Sequence, residues 1–289
     1  MHPRTKRTLI ACLICLLFAG IVWAFIEPRL ISVEHTEIEN PDIPPAFNGV
    51  RIVYAADIHA GGLLGRSHVI RTIDTILAEQ PDLVLLGGDY TDGDFAEIVD
   101  TGGDLLYPEI EELCSVPLGV VGVPGNHDRG MSTYRGLMRI ERVRRAGITV
   151  LENEHTQIWK DDAFIEIVGT EDLGTGHPDL AAAAAGVGPD NFSILLAHNP
   201  DVLPTGLLEA EAADFDLVLA GHTHGGQVTF FGLWAPIMPS KHGQRFRSGW
   251  LEVEGVPVLV TRGIGVVILP VRFFAPPQIH VITLKCSAG

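Results

Sequence analysis

Five short apolar runs in this chain each stop at residues able to hold a metal ion. No other feature constrains the fold as strongly. Residues 51–56 run into Asp57-Ile58-His59, and 82–86 into Gly87-Gly88-Asp89. Residues 118–123 run into Gly125-Asn126-His127-Asp128, 192–197 into His198, and 217–220 into Gly221-His222-Thr223-His224. Such runs, rich in Val, Ile and Leu and bounded by glycine, read as buried strands. Between them, helical spacing over 66–79, 95–113 and 131–146 predicts covering helices. Shorter strands are expected near 149–151, 156–159 and 164–168. Residues 226–231, 249–253, 256–261 and 279–284 complete a strand-rich final third. Alternation of strand and helix makes a mostly parallel sheet, and the later strands add antiparallel pairs. Ligands of such sheets gather beyond the carboxyl ends of the strands, so the five endings would share one rim despite their separation in sequence. A layered α/β domain, two packed sheets with outer helices, satisfies the whole pattern.

The endings suit one kind of chemistry. Two divalent cations a few ångströms apart need a shared carboxylate and nitrogen or oxygen ligands around each. Together they clamp phosphoryl oxygens and generate hydroxide near neutral pH. Glycines beside the ligands permit sharp turns and close approach of a phosphate. Alone, Asp57 would be a turn residue, Asn126 a helix cap and His198 a satisfied core histidine. Five such endings in order outweigh those separate readings. Mixed carboxylate, amide and imidazole ligation favours Mn²⁺, Zn²⁺ or Fe²⁺ over Ca²⁺.

The remaining composition narrows the partners. Acids outnumber bases 36 to 20, for a formal charge of −16. An acidic body repels a phosphate backbone, so no nucleic acid partner is expected. Residues 9–26 are an unbroken uncharged run preceded by Arg4, Lys6 and Arg7. Eighteen residues span roughly 27 Å as a helix, about the thickness of a bilayer's hydrocarbon core. The end of the run lacks a good small-x-small cleavage site, so a retained signal anchor is the expectation. The basic flank places the amino terminus in the cytoplasm and the body outside an inner membrane, crossed once; Arg29 beyond the run weakens that asymmetry, and a nucleotide-linked lipid substrate would demand the cytoplasmic face instead. The expected organisation is an anchor over 1–30, a lead-in strand or linker over 31–48 and the α/β domain over 49–289. Cys12 and Cys15 lie in the apolar run, and whether Cys114 and Cys286 pair depends on the fold.

The order D-x-H, G-D-x-x-D, G-N-H-D, H, G-H-x-H resembles that of the calcineurin-like metallophosphoesterases over roughly residues 50–285. The ending GHTHGGQ (221–227), with Thr261-Arg262-Gly263-Ile264-Gly265 and Leu269-Pro270-x-Arg272, resembles the bacterial membrane-anchored branch. That branch includes enzymes proposed to act on phospholipid-like or UDP-diacylglucosamine substrates. The resemblance implies a four-layer αββα sandwich and a dinuclear centre, with manganese favoured in vitro. Asp57, His59 and His224 would hold one ion, Asn126, His198 and His222 the other, and Asp89 would bridge them. His127 would assist the leaving group and Asp128 would orient His127. Asp92 completes G-D-x-x-D without being an expected ligand. The implied reaction is in-line attack on phosphorus by a hydroxide bridging the ions, with no covalent enzyme intermediate. The expected substrate is a phosphodiester or pyrophosphate of a membrane or envelope lipid. The alternatives are a tethered broad phosphomonoesterase, a nucleotide phosphodiesterase, and a metal-binding scaffold without activity. The intact His127 and Asp128 argue against the scaffold.

A basic patch, Lys241-His242-Gly243-Gln244-Arg245-Phe246-Arg247, follows Phe230, Phe231, Leu233 and Trp234. It reads either as a surface loop or as a rim for a phosphorylated, partly lipidic substrate, with Lys241, His242 and Arg245 on phosphate. Arg262 and Arg272 read equally as ion-paired structure or as substrate-phosphate contacts. Oligomeric state is not legible in the sequence.

Overall fold

The structure, a computed structural model, describes residues 3–92, 107–129, 133–205 and 215–287. Its body is two six-stranded mixed sheets packed face to face. The first has strands β1 (Ser32–Asn40), β2 (Arg51–Ala55), β3 (Leu83–Leu86), β4 (Val120–Gly122), β5 (Thr149–Val150) and β12 (Gln278–Cys286). Their order is β1-β12-β2-β3-β4-β5, with β2 to β5 parallel and β12 antiparallel to β2. The second sheet has β6 (Glu154–Lys160), β7 (Ala163–Gly169), β8 (Ser193–Ala197), β9 (Leu217–Ala220), β10 (Gly249–Val253) and β11 (Val256–Val260). Its order is β10-β11-β9-β8-β7-β6, with β7, β8, β9 and β11 parallel.

Three apolar clusters divide the layers. Ile52, Tyr54, Leu83 and Leu85 meet Ile165, Ile194, Leu196 and Leu219 between the sheets. The alternate residues Val53, Ala55, Val84 and Leu86 face outward against Val69, Ile73 and Ile76 of helix Arg66–Ala78 and Ile140 and Val143 of helix Thr133–Arg145. The opposite face packs on Leu180, Ala183, Leu203, Phe215 and Phe246, a thinner cover of short turns. Strands buried on both faces need continuous apolar runs, which the sequence supplies. The αββα arrangement therefore follows.

One expectation changes. Residues 226–231 form no ladder strand: Gly225, Gly226 and Gln227 take positive φ, and the segment becomes a loop with isolated bridges from Val228 to Phe273 and from Phe230 to Trp234. Of the two readings of residues 31–48, strand or linker, the structure has the strand: β1 pairs along nine residues with β12. The helix read over 95–113 is seen as Tyr107–Leu113, and residues 93–106 lie outside the described ones. Cys114 and Cys286 are free thiols. The Cys114 thiol donates to the Ala146 carbonyl at 3.2 Å.

Pro3–Ile26 is one helix, long and apolar enough to cross a membrane, with its apolar side chains exposed.

Candidate metal centre

The parallel strands converge as their order requires. Asp57 and His59 follow β2, Asp89 follows β3, Asn126 follows β4, His198 follows β8 and the 221–224 turn follows β9. Asp57, His59 and His224 bring ligand atoms within 4.8 Å of one another, and so do Asp89, His198 and His222. His59 Nε2 lies 3.2 Å from His224 Nε2, and His224 Nε2 lies 3.6 Å from Asp57 Oδ1. His198 Nε2 lies 3.2 Å from Asn126 Oδ1. Asp89 Oδ2 stands between the two groups, 3.5 Å from His59 Nε2 and 3.3 Å from His198 Nε2. That is the position a shared carboxylate must take. The His198 Nδ1–H donates to the Gly87 carbonyl at 2.7 Å, which turns Nε2 towards the site.

The backbone is held under strain to achieve this. Asp57, His59, Asp89, His222 and His224 all have φ between 49° and 68°. Each such non-glycine residue costs on the order of 1–3 kcal/mol and persists only where its surroundings enforce it. Gly88 is part of that enforcement: a Cβ there would meet Gly125 N at 2.7 Å and His198 Nδ1 at 2.9 Å.

Electrostatics favour cations. Burial pushes the Asp89 carboxyl up, but the charges of His198, His59 and His127, with hydrogen bonding from His198, hold it far below the usual carboxylate range. Asp57 is raised, first by burial and further by Asp89. Burial, with repulsion from His198, brings His222 down to about 4; burial and His59 lower His224 as well. Two neutral imidazoles beside an ionised carboxylate are the forms that ligate metal.

His127 stands at the mouth. Its ring meets that of His59 edge-on at 4.7 Å between centroids, and its Nδ1 lies 3.4 Å from Asp92 Oδ1. The same Asp92 oxygen is 3.2 Å from His59 Nδ1. Burial lowers the His127 pKa, but hydrogen bonding to Asp92 and the charges of Asp89 and Asp92 outweigh it and raise it. Asp128 differs from expectation. Its two oxygens accept the amides of Thr91 (3.2 Å) and Gly125 (2.9 Å), bracing the turns that carry Asp89 and Asn126. Burial, and then Asp89's charge, push its carboxyl up to about 7. The carboxylate beside the His127 ring is Asp92, a residue the motif contains but does not rank.

The model of the calcineurin-like phosphoesterases matches residues 50–226, from β2 through the last of these turns. This chain belongs to that family. It is 33% identical over 271 residues to the metallophosphoesterase YkuE of Bacillus subtilis, covering 91% of this chain and 88% of that protein. It is 33% identical over 215 residues to the phosphodiesterase YaeI of Escherichia coli, covering 74% and 75%. A transmembrane protein with metallophosphoesterase domain from Danio rerio is 30% identical over 295 residues; the match takes in 97% of this chain and 63% of that longer relative.

In this phosphoesterase a cavity of about 470 Å³ opens over Asp89, Asp92, Asn126, His127, His222 and His224. Its far wall is apolar: Val228, Pro236, Ile237, Val267, Ile268 and Leu269. Among the described residues, that wall does not include Lys241, His242, Arg245, Arg262 or Arg272. Lys241 takes its place through its amide, bonded to Asp201 Oδ2 at 2.6 Å; Arg245 stacks over Phe246, whose ring also meets His242 edge-on. Arg262 pairs with Glu34 and donates to the Pro276 carbonyl. Arg272 is fully buried, brought down to about 9 chiefly by that burial, and its guanidinium caps the carbonyls of Gly265, Ala275 and Arg262. It also reaches His224 Nδ1 at 3.3 Å. Gln227 was not singled out, yet it locks the ligand turn to the apolar wall: its side chain bonds Val267 N at 2.9 Å and the Val267 carbonyl at 2.9 Å. The extended ending GHTHGGQ was its only trace in the sequence.

Proposed function

We propose that this chain, a metal-dependent hydrolase of phosphoester bonds by family and by site chemistry, cleaves a phosphodiester or pyrophosphate of a membrane or envelope lipid. The observation that supports this reading is the cavity: ligand residues form one wall and aliphatic side chains the other, so phosphate and acyl chain would each meet their own surface. Asp57, His59 and His224 would hold one ion, Asn126, His198 and His222 a second, with Asp89 between them. Manganese is the first choice, zinc or iron the next. Bound there, two such ions would supply a water-derived nucleophile at neutral pH and neutralise charge on the phosphoryl oxygens.

The protein's own groups complete the reaction. His127, its Nδ1 turned to Asp92, is set to pass a proton from Nε2 to the departing oxygen. Asp92 holds both His127 and His59 in orientation. The apolar wall excludes water from the side away from the ligands. The anchor, with Arg4, Lys6 and Arg7 before it, would leave this body outside a cytoplasmic membrane.

The test is turnover by full-length protein in nanodiscs, stripped of metal and resupplied with Mn²⁺, Zn²⁺ or Mg²⁺. A lipid-linked phosphodiester should be cleaved faster than bis(p-nitrophenyl) phosphate, and Asp89→Ala should abolish both. Equal rates for lipid-linked and soluble diesters would refute the lipid assignment and leave a tethered soluble-substrate phosphodiesterase.

A further inference from the structure

The apolar helix and the cavity wall are joined. Glu27, just past the helix, is buried, and its carboxylate accepts the amides of Phe274 (3.0 Å) and Ala275 (2.6 Å) and the indole N–H of Trp23 (2.5 Å). The Arg272 amide donates to the Ala24 carbonyl at 2.9 Å. Phe273 lies lower still: a side chain at Gly20 would meet its ring at 3.8 Å. Gly20 precedes Ile26 by six residues, about 9 Å along a helix axis. The 272–276 loop therefore lies alongside the last two turns of the helix instead of above its end.

From Phe273 apolar residues lead towards the cavity, whose wall residue Val228 is bridged to it. The Phe273 ring meets Phe274 edge-on at 4.7 Å, Phe274 meets Phe231 at 5.2 Å, and Phe230 meets Trp234 at 5.6 Å. Leu233 is 78% exposed and Ile268, on the cavity wall, 89%. Contiguous exposed apolar surface of this kind marks an interaction site. Gln244 ties the basic 241–247 loop to it through two bonds with Ala235, at 3.0 and 2.9 Å.

We propose that the 228–237 and 267–274 loops are a membrane-docking ridge that dips into the bilayer in which the helix stands, so that the catalytic cavity opens at the lipid surface. The proposal rests on the helix crossing the membrane. If residues 9–26 span the hydrocarbon, a ring packed at Gly20 cannot be in bulk water. Phe231, Leu233 and Trp234, continuous with that ring, then sit at headgroup and upper-chain depth, where aromatic side chains are favoured. Lys241 and Arg245 beside them would meet anionic headgroups. The occupant is thus the lipid surface, fixed by continuity with the chain's own span.

Tryptophan fluorescence tests this without relying on activity. The chain has four tryptophans, including Trp23 beside the helix end, Trp234 on the ridge and Trp159 on β6. Full-length protein and its single Trp→Phe variants would be placed in phosphatidylcholine–phosphatidylglycerol nanodiscs, plain or brominated high on the acyl chains. Bromine should dim the emission component missing from Trp234→Phe by about twofold or more, as for Trp23, and leave that of Trp159 unchanged. Quenching of Trp23 but not Trp234 would overturn the docking ridge and keep the anchor. Quenching of neither would overturn both. An unquenched Trp234 in a chain that crosslinks to a second copy through Leu233→Cys would assign the ridge to self-association and likewise overturn the proposal.

Discussion

Replacing Asp92 by asparagine should disable the proton donor without touching a proposed ligand atom. One Asp92 oxygen faces His127 Nδ1 at 3.4 Å and His59 Nδ1 at 3.2 Å. A full charge pair at the first distance is worth about 5 kcal/mol in an effective dielectric of 20. The His127 side chain is 33% exposed, so solvent screens much of this. About 1–3 kcal/mol remains, or roughly a 5- to 150-fold loss of kcat. The loss should depend on the leaving group: small for an aryl oxide that departs unaided, large for an alkoxide that needs the proton. Steady-state turnover of aryl and alkyl phosphodiesters under saturating Mn²⁺ measures it. Once His127→Ala is present, Asp92→Asn should cost only what is lost through His59, less than its effect on the parent protein, since coupled residues are not additive. Equal losses for both leaving groups, or full additivity with His127→Ala, would refute the role assigned to Asp92.

Other outcomes follow from the same geometry. Arg272→Met strands several buried carbonyls at about 1–3 kcal/mol each, so thermal unfolding should drop by several degrees and metal affinity should weaken through His224. Calorimetry and metal titration check both effects, and unaltered affinity would leave Arg272 purely structural. Buried His68 and His280 are each pushed down to about 4, mainly by burial. The unfolded chain binds their protons below about 6.5, so stability is full above that pH and falls as pH drops towards 4, by up to about 3 kcal/mol per group. Denaturant midpoints across pH 4–7 should show the slope, and His280→Leu should flatten it. Chelation should lower the midpoint of thermal unfolding, because an ion at a hundredfold excess over its Kd stabilises by about 2.7 kcal/mol. Asp89→Ala should remove that metal-dependent shift.

Much of the site was legible because its residues sit where strands stop. A buried parallel strand is a short apolar run, and its last residue points to the rim, so Asp57, Asp89, Asn126, His198 and His222 could be grouped from one dimension. Residues acting through contacts across the fold were less visible. Asp92 and Asp128 are both acids beside the motif, and sequence does not say which reaches the His127 ring. Local turns decided it: Asp128 accepts two nearby backbone amides, and Asp92 is left to the imidazoles. Arg272 read equally as structure or as a phosphate contact, because sequence does not show what surrounds a guanidinium; five backbone carbonyls around it favour the structural use. Residues 226–231 carried strand-like composition, but positive φ at Gly225, Gly226 and Gln227 turns the chain out of the sheet.

The pairing of β1 with β12 orders events in time. Positions 32 and 278 become neighbours only after everything between them has been synthesised. Closing so long a loop costs about 5 kcal/mol of chain entropy beyond the length-independent part. The helix before β1 can enter a bilayer while β2 to β11 assemble, but β1 stays without its neighbour until β12 arrives. The strand that follows the helix is thus clasped last, and a ribosome paused before residue 278 would hold a domain still open along one edge. Late closure of that kind makes the 278–286 segment the latch of one sheet edge: shortening it should free β1, while the contacts of Glu27 with Phe274 and Ala275 still hold the helix to the body.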